Sequence, residues 1–202
     1  MTDNVKEILA QISKEVHKPV NSKFERRKVI ANKTMEIMAV DLADMQEWAD
    51  KDDGYKYILT GVDVFSRFAW ARMLKTKDAE DVLNALKDIF DDAGSKPEFL
   101  WSDQGKEFYN KKSEAYFKKD KIKQYSTYGE HKASIVERFN RTLKTNMWKF
   151  FTANNTRKWI EELPWLIEVY NTTKHSTIKM TPEDAFDLGR KDVIVRVYDE
   201  NE

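Results

Sequence analysis

A nearly unbroken apolar run, MEIMAVDL at residues 35–42, constrains the fold more than any other feature of this sequence. An apolar run of strand length that lacks polar alternation is typical of a strand buried on both faces of a sheet. Two more strand patterns follow after short connections, at residues 55–64 and 67–74. Because short connections join antiparallel neighbours, we predict a three-stranded antiparallel meander that includes a buried central strand.

Helix and strand patterns alternate through the rest of the chain. Pro164 should kink its helix or mark its start, and Thr181 before Pro182 is a typical helix start. The order predicts an α/β fold with a five-stranded mixed sheet, its first three strands antiparallel, flanked by helices. The remaining predicted elements are helix 78–92, strand 98–102, helix 106–119, strand 121–126, a long helix within 128–150, and helices 157–170 and 181–188.

The 202 residues divide into a core and two short ends. Residues 1–34 are predicted to form an amphipathic helix, packed on the domain or on a second copy, and a basic linker that either contacts nucleic acid or is solvated. Residues 35–190 form the core, and residues 191–202 form a tail or a linker to a further domain. Neither a run of 18 apolar residues nor a signal-peptide core is present, so we expect no membrane span and no secretion.

The residue types that the sequence lacks exclude several kinds of site. There is no cysteine, and the three histidines, His17, His131 and His175, lie far apart. Disulfides, thiol catalysis and cysteine-containing zinc sites are therefore excluded. A histidine-rich metal site is not expected either, which leaves carboxylates as the candidate metal ligands.

The formal net charge is zero, but the charges are distributed unevenly. Residues 103–158 contain 14 basic and 6 acidic residues, a net charge of +8. Residues 35–102 contain 8 basic and 15 acidic residues, a net charge of −7. Since local patches rather than net charge determine where a polyanion binds, the basic segment predicts a phosphate-binding surface.

Three acidic motifs carry the predicted chemistry. Asp41 is predicted to end the first strand, Asp103 follows the fourth strand, and Glu137 lies in the first turns of the long helix. If strands one and four are neighbours, the two aspartates meet at one edge and the helix supplies the third carboxylate. Such oxygen ligands suit Mg²⁺ or Mn²⁺. Two ions can activate a nucleophile and stabilise the leaving oxygen of a phosphate ester.

Each of these carboxylates also has a structural interpretation. Acidic residues at strand ends and helix starts are common as caps. Asp44 is a rival carboxylate, and Asp63 could be a buried salt-bridge partner of Arg67 or Arg72. The coincidence of three acidic motifs favours the metal site.

The long helix places one carboxylate beside cations. Glu137, Arg141 and Lys144 are spaced at i, i+4 and i+7, so they share one face. An ordinary solvated helix also mixes charges, but together with the other two acidic motifs this face indicates a surface for a polyanion. The opposite, apolar face carries Ile135, Phe139, Leu143, Met147 and Phe150.

The motifs VDLADM, SDQGKEF and IVERFNRTLK, in that order, resemble the acidic triad of retroviral-type integrases, which belong to the RNase H-like superfamily. Asp103 and Glu137 are separated by 33 residues, close to the usual spacing in that family. YILTGVDVFSRFAW resembles the second and third strands of retrotransposon integrase cores, and YNTTKHSTIKMTPEDAF resembles the segment after the long helix. The stretch KASIVERFNRTLKTNMWKFF is most similar to integrases of Maverick/Polinton elements and virophages.

The resemblance implies a function and a set of residues. Asp41, Asp103 and Glu137 would bind two Mg²⁺ (or Mn²⁺) ions, with no zinc in this fragment. Water would first trim a DNA 3′ end, and the freed 3′-hydroxyl would then attack target DNA. The implied DNA-binding residues are Tyr128 and Lys132, before the long helix, and Asn140, Arg141 and Lys144 on it.

Departures from the family pattern lie outside the triad. Ala133 and Ser134 stand where the family often has glutamine and glycine, and Gln104 replaces a frequent asparagine. Relatives carry an N-terminal zinc domain and a small C-terminal domain, so this chain resembles a catalytic core alone. The resemblance also implies a homodimer or higher oligomer, with Trp159 and Trp165 as candidate surface residues of which we expect at least one in the core. It implies a location in the host nucleus or a viral particle.

Two other functions are compatible with parts of this pattern. An RNase H-type nuclease shares the triad and the metals, but it does not require the YN…H…TP segment that follows the long helix. A domesticated, non-catalytic DNA-binding protein would be favoured by loss of a triad carboxylate, and all three are present. The sequence therefore favours a DNA strand-transfer enzyme.

Overall fold

The computed structural model describes residues 29–126 and 134–188. Its strands are β1 (Ile37–Asp44), β2 (Tyr57–Asp63), β3 (Ala69–Leu74), β4 (Phe99–Trp101) and β5 (Lys123–Tyr125). Its helices are α1 (Ala79–Asp92), α2 (Lys111–Lys119), α3 (Ser134–Asn154), α4 (Leu163–Thr172) and α5 (Pro182–Leu188), with a short 3-10 helix at Gln46–Lys51. The expected N-terminal helix and the tail at residues 191–202 lie outside the described residues.

The five strands form one mixed sheet in the order β3-β2-β1-β4-β5. β1 pairs antiparallel with β2, which pairs antiparallel with β3. On its other side β1 pairs parallel with β4, and β4 pairs parallel with β5. The predicted sheet is confirmed, including the neighbouring positions of the first and fourth strands.

The alternation of side chains along β1 divides the interior into two cores. Ala39 and Ala43 belong to a core that α3 and α4 cover, whereas Met38 and Val40 belong to a core that α1 and α2 cover. Helices thus lie on both faces of the sheet, and β1 is buried between them as its apolar run predicts. The α3 side chains buried in the first core are Val136, Phe139, Leu143, Met147 and Phe151.

Two helices begin later than their apolar spacing predicts. α2 begins at Lys111 rather than near residue 106, because the Asn110 side chain accepts a hydrogen bond from the Ser113 amide and caps it. α4 begins at Leu163 rather than near residue 157, with Pro164 in its first turn. Proline has no N–H to donate and suits the start of a helix. Thr181 caps α5 as predicted, accepting from the Asp184 amide at 3.0 Å.

Asp63 is not paired with an arginine in the way the sequence suggested. Its buried carboxylate accepts hydrogen bonds from the amides of Met35 and Ser66, at 3.0 and 2.8 Å, and from the Ser66 hydroxyl at 2.6 Å. Arg72 pairs with Asp92 on α1 instead. Asp63 therefore holds the turn after β2 and the chain before β1 together.

The loop after β1 is fastened to the connection between α3 and α4. Asp52 is fully buried, and its Oδ1 accepts hydrogen bonds from the amides of Trp159 and Ile160 at 2.7 and 3.3 Å. Trp159 is itself fully buried, so at least one of the two candidate surface tryptophans belongs to the core as expected, whereas Trp165 is 50% exposed. Within residues 29–126 and 134–188, no helix combines the length and the apolar character that a bilayer crossing requires.

Candidate active site

Strand register brings Asp41 and Asp103 to the same level of the sheet. The last parallel pair between β1 and β4 is Ala39 with Trp101, and each aspartate lies two residues beyond its member of that pair. Because strand side chains alternate with period two, Asp41 lies on the Ala39 side of β1, which α3 covers. Asp41 was predicted to end the first strand, but β1 continues to Asp44 because residues 41–44 pair with residues 57–60 of β2.

Asp41 is a half-buried carboxylate with two hydrogen-bond donors. Its Oδ1 accepts from the Leu42 amide at 2.9 Å, and its Oδ2 accepts from Nδ2 of Asn140 on α3 at 2.8 Å. Burial raises the pKa of Asp41, and these two hydrogen bonds oppose that effect. The negative charges of Asp103 and Glu137 are close enough to raise the pKa further. The structure thus brings all three predicted carboxylates into one electrostatic neighbourhood.

Asp103 and Glu137 are exposed at this edge of the sheet. Oδ1 of Asp103 accepts a hydrogen bond from the Gly105 amide at 3.1 Å, which fixes the turn after β4. Glu137 lies in the first turn of α3. None of the ion pairs seen in residues 29–126 and 134–188 involves Asp41, Asp103 or Glu137.

The exposed face of α3 is the predicted one. Glu137, Arg141 and Lys144 are all exposed. Asn140 instead lies beneath this face, 8% exposed and bonded to Asp41. Tyr128 and Lys132, the other two predicted DNA-binding residues, lie outside the described part of the chain.

The donor chemistry of the three carboxylates fits a hard divalent cation, but their side chains are not gathered around one point. Carboxylate oxygens are the ligands that Mg²⁺ and Mn²⁺ prefer. Over the described ranges, no group of three Asp, Glu, His or Cys side chains is close enough to hold a metal ion. The carboxylates therefore share an edge without forming a closed site, and metal binding would require Asp103 or Glu137 to turn towards Asp41.

Sequence reasoning missed two features of the site. Asn140 was expected on the DNA-facing surface, and its bond to Asp41 joins residues that are 99 positions apart. Glu107 is a fourth carboxylate near Asp103, and its Cδ lies 2.5 Å from where a Cβ on Gly105 would be. Only glycine at residue 105 leaves room for that carboxylate in its present position. Both the glycine and the glutamate stand in the motif SDQGKEF, so the sequence contains a signal for this contact.

Residues 31–128 match the family described as integrase core domain. A transposon-derived protein of Caenorhabditis elegans is 34% identical over 141 residues, which cover 70% of this chain and 49% of that protein. The Pol polyprotein of radiation murine leukemia virus (strain Kaplan) is 36% identical over 114 residues, which cover 55% of this chain and 19% of that protein. The chain thus spans at most about half the length of these curated relatives.

Solved structures that align with this chain show the same fold. The intasome of simian T-cell lymphotropic virus, in complex with the PP2A regulatory subunit B56 gamma, contains a chain that aligns with a TM-score of 0.67 at 19% identity, over 80% of this chain and 56% of that one. The HTLV-2 integrase catalytic core domain in complex with magnesium, in a trimeric form, aligns with a TM-score of 0.63 at 17% identity, over 79% of this chain and 99% of that one. This chain therefore carries a segment that matches the integrase core domain family, and it has the RNase H-like fold of integrase catalytic cores.

Proposed function

We propose that this chain is the catalytic core of an integrase that joins the DNA ends of a mobile or viral element to target DNA. The observation that carries the proposal is the group of three carboxylates on neighbouring elements, Asp41, Asp103 and Glu137, with no cation of the described chain paired to them. Like charges that lie together at one edge favour a bound cation. The family match over residues 31–128 supports the same reaction class.

Asp41, Asp103 and Glu137 would hold Mg²⁺ or Mn²⁺, in two sites. When bound, divalent ions supply a Lewis acid that activates an oxygen nucleophile and stabilises the leaving oxygen. Asn140 keeps the Asp41 carboxylate in one orientation through its hydrogen bond. Asp103 and Glu137 are exposed, and a side-chain rotation towards Asp41 would bring their carboxylates to the same metal ions.

Two phosphoryl-transfer steps make up the proposed reaction. In the first, water attacks a phosphorus near the end of an element strand, one P–O bond forms, and the bond to the 3′ oxygen breaks to leave a 3′-hydroxyl. In the second, that hydroxyl attacks a phosphorus of target DNA and displaces a 3′ oxygen there. Each step exchanges one P–O bond for another, so the reaction needs no external energy source. The chain has to position the reacting groups and stabilise the charge that develops.

The proposed DNA path follows the exposed face of α3. Arg141 and Lys144 lie on the same face as Glu137 and would contact phosphates near the reacting one. Tyr128 and Lys132 are proposed to contact the same DNA from the segment before α3, and Asn140 is proposed to act from beneath. The HTLV-2 core with magnesium is known in dimeric and trimeric forms, which supports a proposed oligomer for this chain. The proposed place of action is the host nucleus or a viral particle.

A product assay tests the proposal directly. The substrates are a linear DNA duplex, a branched DNA that mimics a joined product, and an RNA–DNA hybrid, each with Mg²⁺ or Mn²⁺. We expect resolution and rejoining of the branched DNA, abolished by Glu137→Gln and unchanged by Glu168→Gln, which makes the same change at an exposed glutamate of α4. Cleavage of the hybrid alone would identify a ribonuclease instead. Tight DNA binding without any product would identify a binding protein.

Metal binding has a readout that does not depend on activity. A ligand that binds only the native state raises its free energy of unfolding by RT ln(1 + [L]/Kd), or about 2.7 kcal/mol at 100 times Kd. We expect saturating Mg²⁺ to raise the melting temperature of the native chain but not that of Asp41→Asn or Glu137→Gln. An equal rise in all three proteins would contradict the assignment of these ligands.

A further inference from the structure

A tryptophan continues the exposed face of α3 beyond the proposed DNA path. Glu137, Arg141, Lys144 and Trp148 are spaced at i, i+4, i+7 and i+11, so all four lie on one side of the helix. Trp148 is 41% exposed, and within the described ranges the other large apolar side chains with such exposure, Ile30, Trp165 and Leu188, lie outside α3. The DNA-facing side of α3 therefore ends in an aromatic ring.

Trp148 forms one wall of an aromatic groove between α3 and the 3-10 helix. Its ring centroid is 4.9 Å from that of Trp48 and 5.5 Å from that of Phe151, in edge-to-face arrangements. Met45 and Met147 line the rest of the groove, with Asp44 and Lys144 at its polar margin. The ring of Trp148 is thus held in place by neighbouring rings while part of it stays open to solvent.

The groove has two cations at its margin, and the carboxylate beside them already accepts other hydrogen bonds. Lys144 lines it, and the guanidinium of Arg157 lies 5.7 Å from the Trp148 ring centroid. Both oxygens of Asp44 are already engaged, accepting from the Gln46 amide at 2.9 Å and from its side-chain Nε2 at 2.8 Å. An apolar partner surface would have to desolvate both cations without pairing them. An anionic ligand with a flat ring would use the cations and the tryptophan together.

We propose that this groove, here called the Trp148 groove, binds one unpaired nucleotide of the DNA on which the carboxylate site acts. Arg157 lies over the rings of Trp148 and Phe151, at 5.7 and 5.8 Å from their centroids. The base would stack on the exposed part of Trp148, and its phosphate would pair with Lys144 or draw Arg157 towards itself, as in single-strand binding sites. The inference rests on the proposed function for its DNA substrate. The Trp148 groove would give the chain a preference for DNA with a single-stranded segment near the reacting phosphate, which the three carboxylates alone do not provide.

The helix sets the distance between the two sites. At 1.5 Å per residue, the step from Glu137 to Trp148 is about 16 Å along the axis. At the stacked duplex rise of about 3.4 Å per nucleotide, about five nucleotides of a strand would span this distance.

The test is a binding measurement in the Glu137→Gln background without divalent metal, so that no reaction intervenes. One probe is a DNA duplex with a 5′ overhang that carries 2-aminopurine at its fifth nucleotide, and the other is the same duplex with blunt ends. We expect Trp148→Ala to weaken overhang binding about fivefold to a hundredfold, the range for loss of one stacked base, and to leave blunt-duplex affinity within about twofold. Trp148→Phe should retain most of the affinity, and the quenching of 2-aminopurine by the chain should disappear in Trp148→Ala.

Trp165→Ala is the matched control, because Trp165 is 50% exposed but lies on α4. Equal affinity of Trp148→Ala and its parent for the overhang would overturn the inference, and so would equal weakening for both probes. Loss of self-association in Trp148→Ala, measured by sedimentation, would assign the groove to a second copy of the chain and also overturn the inference.

The failure of this inference can be told apart from failure of the proposed function. If the chain that retains Glu137 rejoins branched DNA while Trp148→Ala binds the overhang as tightly as its parent does, only this inference fails. If neither probe binds the native chain, both this inference and the proposed function fail.

Discussion

Asn140 donates a hydrogen bond of 2.8 Å from its Nδ2 to Oδ2 of Asp41, and this bond connects the long helix to the central strand. Asn140 is 8% exposed, and its Oδ1 has no hydrogen-bond partner among the described residues. The bond fixes the carboxylate on one side, because the Leu42 amide holds the other oxygen. Asn140 is therefore a positioning residue for Asp41 in the proposed metal site.

Asn140→Ala should raise the Mg²⁺ concentration that half-maximal activity requires by about tenfold to a hundredfold, the usual effect of removing a residue that orients a metal ligand. The fold should survive, since one lost hydrogen bond costs about 1 kcal/mol. The measurement is the rate of branched-DNA rejoining as a function of Mg²⁺ concentration. Asn154→Ala, an exposed position near the end of α3, is the control. An unchanged Mg²⁺ midpoint would show that Asn140 does not act through Asp41.

Asp41→Asn should make the metal-free protein more stable at neutral pH. Burial, with the charges of Asp103 and Glu137, raises the pKa of Asp41 above its ordinary value. A carboxyl whose folded-state pKa is raised favours folding most at low pH, and that contribution is lost as the pH rises through the folded pKa. The stability advantage of Asp41→Asn should therefore be largest above that pKa and shrink as the pH falls towards about 3.9, the unfolded value.

Urea unfolding of the two proteins between about pH 3.5 and pH 8 measures this difference, with EDTA present to exclude metal. Asp44→Asn serves as the comparison, because Asp44 is an exposed carboxylate on the same strand. A difference that grows as the pH falls would show that interactions with the ionised carboxylate outweigh its burial.

Arg141→Ala combined with Lys144→Ala should weaken DNA binding and reduce its salt dependence. Each phosphate contact contributes about 0.9 to the slope of log K against log salt for duplex DNA, so loss of two contacts should lower the slope by about two. Lys118→Ala with Lys119→Ala removes the same charge from exposed positions at the end of α2 and should leave the slope unchanged. Equal slopes in the α3 double variant and the native chain would move the DNA path away from α3.

Asp52→Ala should destabilise the fold by about 2 kcal/mol, because it leaves the buried Trp159 amide without its acceptor. Burial raises the pKa of Asp52, and the hydrogen bonds from the Trp159 and Ile160 amides oppose that effect. Asp52→Asn retains an acceptor oxygen and should lose much less stability. Thermal unfolding of the three proteins gives the comparison, and equal melting temperatures for Asp52→Ala and the native chain would show that the loop does not depend on this bond.

Local patterns were sufficient to predict the sheet and most of its helices. The apolar run at residues 35–42 indicated a buried strand, and the structure places β1 between two cores. Its extension to Asp44 depended on the length of its partner β2, which the run itself does not contain. The late start of α2 has a local signal in the sequence, since Asn110 stands three residues before Ser113 in a typical capping arrangement.

The sequence predicts the three carboxylates of the candidate site, but not the contacts that their side chains make. Asp41, Asp103 and Glu137 stand out because acidic motifs recur in or just after two predicted strands and at the start of the long helix. The partners of Asp41 and Asp52 are 99 and 107 residues away from them. Side-chain contacts over such separations depend on how whole elements pack, which periodicity does not specify.

The pairing of Ala39 with Trp101 has a consequence for how such a chain can change over evolutionary time. A slip of β1 by one residue would turn Asp41 into the core beneath α1 and α2, and would bring Met38 and Val40 to the face under α3. The apolar side chains that forbid this slip therefore also determine which way the carboxylate points. Mutations deep in either core are thus expected to abolish the proposed chemistry without changing an acidic residue, so the interior would be constrained by the proposed reaction as well as by stability.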